Sequence, residues 1–286
     1  MIDRDQLELF RASLQQATSA HTGKALDDAL DELGWRDALA EDRRAAVSTL
    51  FDLQGRANAT SSALDAVMAS ALGVDGPVVL PPLGSCDQPT ARGLGTFAFA
   101  NSKPEGFTVC PVAGIDPALG MVEVTGDLQF ASPSSAWPDA VAAGQLALAH
   151  ELVGASRAML ELACNHAVER IQFGRPIAAF QAVRHRLAES LVAIEAADAA
   201  VDAAWEVESP VNSALAKAVA GRSARTVARH CQQVLAGIGF TTEHPFHRYL
   251  RRMLVLDGLL GDARTLTNQL GEEMLSSRRL PPLLPL

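Results

Sequence analysis

The sequence of 286 residues is 48% hydrophobic and carries 24 basic against 33 acidic residues, a net charge of −9. That supplies a core for one large or two small domains, and the acidic balance argues against nucleic acid as a main partner. Cys86, Cys110, Cys164 and Cys231 form no CxxC pair and join no His/Cys cluster, so they read as reduced, mostly buried thiols rather than a zinc motif.

The opening MIDRDQLELF lacks the basic-then-apolar order of a signal peptide. No apolar run reaches the roughly 18 residues a bilayer span needs; the expectation is a cytoplasmic protein with no membrane partner. Residues 1–73 read as about four helices. Apolar residues recur three and four apart at Leu7, Phe10 and Leu14, at Leu26, Leu30 and Leu33, and at Val47, Leu50 and Leu53. A further helix is predicted over Ser62–Leu72, opened by the capping cluster Thr60–Ser61–Ser62.

From residue 74 to 138, Gly and Pro separate short β-like runs at Val78–Leu80, Gly95–Ala100, Phe107–Val112, Met121–Val124 and Leu128–Phe130. Alanine-rich helical pattern then resumes in four stretches at about 139–169, 178–206, 210–236 and 244–276. The breaks hold Gly174 and Pro176, then Pro210, then Gly237, Gly239 and Pro245. Four helices with short connections predict an antiparallel four-helix bundle over 139–276, followed by an extended tail, RRLPPLLPL. The fold class is mainly α with a small β segment.

Two breaks carry chemistry. ERIQFGRPIAAFQAVRHRLA, residues 169–188, places Arg170 beside a predicted helix start whose backbone N–H groups could cradle a pyrophosphate. QVLAGIGFTTEHPFHRYLR, residues 233–251, offers Gly237 and Gly239 as bare backbone that a flat ligand edge can approach. The plainer reading is two helix connections, with Arg170 ion-paired to Glu169 or Glu189.

These segments resemble the acyl-CoA dehydrogenase motifs R-x-x-F-G-x-P-I-x-x-F-Q and Q-x-x-G-G-x-G-[FY]-x-x-E-x-P, and LDELGWRDAL resembles the family's N-terminal helical domain. The resemblance implies an N-terminal helical domain, a shortened middle β-domain and a C-terminal four-helix bundle. It also implies that both motifs serve the FAD of a neighbouring subunit. Arg170 and Gln172 would face the pyrophosphate, and Phe173 and Gln181 would line the adenosine side. Gln233, Ala236 and Gly237 would hold the rest, with Ala236 replacing one of the family's paired glycines and able to crowd the cofactor.

The same resemblance locates a missing group. Acyl-CoA dehydrogenation needs a carboxylate at the thioester α-carbon, and the family's catalytic Glu falls on Leu260, inside the predicted helix 244–276. The alternative base position of some members falls at Gly144–Gln145, again without a carboxylate. Asp257, Asp262 and Glu151 are nearby acids better read as solvated or ion-paired. The strand that packs on the flavin has no counterpart here, and Trp137 reads as a packing residue.

The resemblance therefore implies a non-catalytic subunit that completes an FAD site in an α2β2 heterotetramer with a full-length catalytic subunit. Such two-gene enzymes occur among actinobacterial steroid degraders. Acyl-CoA substrate would sit mainly on the partner, and an electron-transfer flavoprotein would accept the electrons. Two alternatives stand beside it: an independently active homomeric dehydrogenase with a displaced base, and a flavin-free scaffold. The histidines lack metal-ligand spacing, Ser132, Ser134 and Ser135 lack a G-x-S-x-G setting, and GLGTFAF matches no dinucleotide fingerprint. Arg248, Arg251 and Arg252 read as a salt-bridged helix face.

Overall fold

The computed structural model describes residues 4–87, 97–99, 108–112, 114–125 and 135–278. Five helices precede the β segment: α1 (Arg4–Ala20), α2 (Lys24–Glu32), α3 (Trp35–Glu41), α4 (Arg43–Ala57) and α5 (Ala63–Leu72). The extra one is α3, which starts after Gly34 turns the chain at φ 67° and buries Trp35 and Leu39. Trp35 Nε1 donates to the carbonyl of Ala46 at 3.1 Å, satisfying the indole inside the core. At the start of α5 the predicted cap is shifted. The Ser62 side chain makes no cap bond, whereas Ser61 Oγ accepts from Ala63 N and Asp27 holds Ser62 N.

Strands β1 (Phe97–Phe99), β2 (Thr108–Pro111) and β3 (Met121–Thr125) form an antiparallel sheet in the order β1-β3-β2, with Val122 and Val124 buried. Among the described residues Val78–Leu80 belongs to neither sheet, Leu80 forming only an isolated bridge, and its side chain is buried in the helical core. The predicted run Leu128–Phe130 lies outside the described residues, as does the tail beyond Arg278.

Helix α6 (Trp137–Glu169) is the axis of the molecule, buried on nearly every side from Ala140 to Met159. Its alanines let α4, α5, α7 (Gln181–Glu206), α8 (Pro210–Leu235) and α9 (Phe246–Gly258) pack around it. One core cluster therefore runs from Leu14 to Leu260. Polar struts tie the layers. Arg157 bridges Asp52 on α4 and Asp198 on α7, and Trp205 Nε1 donates to His150 Nε2 at 2.9 Å. Burial drives the His150 pKa down to about 4, keeping that acceptor neutral. Among the described residues no helix is long and apolar enough to cross a membrane.

The predicted fourth bundle helix is two helices. After α9 the chain breaks at residues 259–262, then continues as α10 (Ala263–Ser277). Leu260 and Gly261 take φ of 54° and 96°, and Asp262 starts α10 by accepting from the N–H groups of Arg264 and Thr265 at 2.9 Å. Leu260 is thus a loop residue, which corrects its expected helical setting.

Candidate functional site

The break after α6 folds as a two-strand hairpin, β4 (Ile171–Gln172) against β5 (Arg175–Pro176), followed by a 3-10 turn over Ile177–Ala179. Phe173 and Gly174 form its tip with φ of 54° and 76°, the doubly left-handed pairing of a tight hairpin turn. Gly174 and Pro176 therefore shape a hairpin rather than simply ending one helix and starting the next.

The tip is anchored to the start of α7 by rings. Phe173 meets Phe180 edge-on at 6.0 Å, and the Arg175 guanidinium lies 4.4 Å from the Phe180 ring centre. Phe173 is nevertheless 92% exposed. Arg170 closes α6 by donating its N–H to the His166 carbonyl and accepting from Ile177 N, both at 2.8 Å. Its side chain is exposed and, among the described residues, pairs with neither Glu169 nor Glu189; Glu189 lies 3.6 Å from His230 instead. Gln181 opens α7 exposed, and Phe180 ahead of it offers no side-chain cap.

In the second motif the chain leaves α8 through a 3-10 turn, Ala236–Phe240. Ala236 adopts φ 53°, ψ −133°, a region only glycine occupies without strain. Gly237 faces open space, whereas a methyl on Gly239 would stand 2.9 Å from Leu235 Cβ. Gly239 is bare for packing on α8, which corrects its reading as a ligand-facing residue. Gln233 is exposed on the last turn of α8.

The antiparallel bundle brings these seven residues to one end. There the rings of His166, in the last turn of α6, and His244, just before α9, meet edge-on at 6.3 Å. Leu260 lies at the other end, against the start of α6, so Gly144 and Arg170 are separated along that helix by roughly 40 Å.

At that far end the base positions are filled. Leu260 is 1% exposed, and a methyl on Gly144 would stand 2.5 Å from its Cδ1 and 3.1 Å from Met68 Sδ. Gln145 Nε2 donates to the Leu260 carbonyl at 2.9 Å. The buried Lys217, which sequence reasoning missed, staples the same loop by donating to the carbonyls of Asp257 at 2.9 Å and Gly261 at 3.2 Å. Burial lowers its pKa to about 8, with Asp257 opposing the shift. Its signal was a lone charge inside the apolar run SALAKAVAG.

Of the three neighbouring acids, two are buried and the third caps a helix. Asp257 is fully buried, ion-paired with Arg225 at 2.6 Å and accepting from Ala263 N; it fits only because Gly221 has no side chain. Asp262 caps α10, and its bonds to the first-turn N–H groups outweigh partial burial and lower its pKa. Glu151 is sealed between α4 and α9, 3.8 Å from Arg252, and burial raises its pKa to about 7 against the pull of that guanidinium.

Within the expected basic helix face, Arg252 is instead 1% exposed, paired with Asp116 at 2.5 Å and donating to Ala59 O and Thr60 Oγ1. Trp137 Nε1 donates to the Cys86 carbonyl at 3.1 Å, consistent with packing.

Residues 139–275 match the acyl-CoA dehydrogenase C-terminal domain. The chain is 34% identical over 171 residues to the acyl-CoA dehydrogenase IpdE2 of Mycobacterium tuberculosis, covering 60% of this chain and 53% of that protein. It spans about half the length, or less, of the curated relatives it matches. A variant of the Tcur3481–Tcur3483 steroid ACAD superposes with a TM-score of 0.73 at 20% identity, over 96% of this chain and 99% of that one. The ChsE4–ChsE5 complex of Mycobacterium tuberculosis gives 0.69 at 18% identity, over 99% of each chain. The fold shared with these structures is that of an acyl-CoA dehydrogenase.

Proposed function

We propose that this chain, whose residues 139–275 match the acyl-CoA dehydrogenase C-terminal domain, is the non-catalytic subunit of a heteromeric acyl-CoA dehydrogenase, completing an FAD site carried by a full-length catalytic subunit. One observation carries the reading: the exposed cofactor motifs and the closed base position stand at opposite ends of α6. The separation of roughly 40 Å exceeds the reach of one extended dinucleotide, so the exposed motifs have no use for a flavin at this chain's own Leu260.

The exposed end fits the edge of such a cofactor. Arg170 offers an exposed guanidinium beside the uncapped start of α7, suited to a pyrophosphate. Gln172 would join Arg170 at the pyrophosphate, Phe173 and Gln181 would line the adenosine side, and Gln233, Ala236 and the open backbone at Gly237 would hold the remainder. FAD, when bound, supplies the hydride acceptor. The proton at the thioester α-carbon needs a carboxylate, and the two beside Leu260 are taken up, Asp257 by Arg225 and Asp262 by the first turn of α10. The base, the acyl-CoA and the route to an electron-transfer flavoprotein therefore belong to the partner.

An α2β2 assembly acting on CoA thioesters of steroid fragments draws its support from the fold shared with a steroid ACAD and with the ChsE4–ChsE5 complex, and a cytoplasmic setting is part of the same proposal. In this reading residues 1–73, 74–138 and 139–276 serve as helical, reduced β and bundle domains.

Co-expression with a full-length dehydrogenase subunit, followed by flavin counting, tests it. One FAD for each pair of chains is expected, and one per chain would show that this subunit keeps a site of its own. A yellow, acyl-CoA-oxidising preparation of this chain alone would sink the proposal.

A further inference from the structure

The groove between α8 and α10, about 730 Å³ in volume, is walled by Arg222, Arg225 and Arg229 on one side and Arg264 on the other. The three α8 arginines are spaced three and four apart and so share a helix face. Two carboxylates border the groove, and both are committed. Asp257 is taken by Arg225 and Ala263 N, and Asp262 by the first turn of α10. Arg222, Arg229 and Arg264 are exposed and have no carboxylate in ion-pair range among the described residues.

Arg36, Arg43, Arg44, Arg56 and Arg157 pair with Asp or Glu, and arginines such as Arg170, Arg184 and Arg251, exposed without a carboxylate partner among the described residues, line no part of this groove. Like charges gathered in one concavity repel, and an anion seated among them relieves that repulsion. Guanidinium forks match phosphate oxygens two at a time, and the concavity is of small-molecule size. The Thr226 and Thr267 hydroxyls already donate to their own helices, which leaves the Asn268 amide as the uncharged donor on the wall.

We propose that this groove binds the diphosphate of a phosphorylated small molecule. It shares no residue with the Arg170 cluster, so the assignment stands or falls apart from the subunit role.

Titration calorimetry of ADP and of inorganic pyrophosphate into the full chain tests it. Both should bind, more weakly as NaCl is raised. The triple variant R222Q/R229Q/R264Q should weaken both by about tenfold or more, with an unchanged circular dichroism spectrum. The control Arg36→Gln, outside both this groove and the Arg170 cluster, should leave both as they were. Parent-like binding by the triple variant, equally tight binding of adenosine, or no binding of either probe to the parent would overturn the assignment.

Discussion

Gly144 and Leu260 fit as groove and ridge: the leucine crosses the bare α-carbon of the glycine, with Cδ1 2.5 Å from where a methyl would stand. The two positions that could each have carried a base are thereby joined in one apolar contact. Gly144→Ala should cost about 1–3 kcal/mol by overpacking, and Leu260→Ala about 2–5 kcal/mol by leaving a cavity. The double variant should recover at least about 1 kcal/mol of that sum, because each change relieves the other. Urea unfolding of the four proteins measures the coupling, and additive losses would show that the contact does not matter.

Leu260→Glu should not create an enzyme. The side chain would enter a site 1% exposed, facing Met68 and Gly144, where an unpaired carboxylate is strongly disfavoured. A loss of several kcal/mol is expected by the same principle, with no acyl-CoA-dependent dye reduction. Thermal melts and a turnover assay on the purified variant check both.

Ala236 holds φ 53°, ψ −133° at the position where the family motif carries glycine. The strain costs on the order of 1–3 kcal/mol, reduced by glycine's own chain entropy. Ala236→Gly should therefore stabilise the isolated chain by about 1 kcal/mol. An unchanged urea midpoint would mean that alanine is tolerated there without strain.

The helices were largely legible because apolar spacing and breakers act locally. The α9–α10 break was not: Leu256, Leu259 and Leu260 keep helical spacing despite Asp257, Gly258 and Gly261, and the role of Asp262 as a cap shows only in its backbone partners. The hairpin was hidden because Phe173–Gly174 is not one of the usual turn pairs. Resemblance identified Arg170 and Gln233, but sequence order could not show that they share the end remote from Leu260. The groove was half legible: Arg222, Arg225 and Arg229 fall on one helical face, while Arg264 meets them only through the packing of α10 on α8.

Glu151 gives a pH signature of defined sign. Its folded pKa is raised from 4.5 to about 7 by burial, so between those values the native state binds more protons than the unfolded one. Stability from this group is full below the unfolded pKa and is lost as pH rises through the folded one. Glu151→Gln should therefore gain on the parent as pH goes from 5 to 8, by a few kcal/mol at most. Unfolding free energies of both proteins across that window measure it; a constant difference would mean that the carboxyl is ordinary.

Phe173 separates stability from assembly most cleanly. It occupies a left-handed tip position while remaining 92% exposed, so its backbone is costly to the isolated fold and its ring returns little beyond the edge contact with Phe180. Asparagine tolerates that backbone and makes the favoured pair with Gly174. Phe173→Asn should raise the stability of the isolated chain by up to about 1 kcal/mol. The co-purified complex should lose flavin, by about thirtyfold or more in affinity, since a buried aromatic anchor is worth about 2 kcal/mol or more. The two readouts are predicted to move in opposite directions, as expected for a residue that serves a partner while straining its own fold. A variant that stabilises the chain and leaves flavin retention untouched would remove the hairpin tip from the shared site.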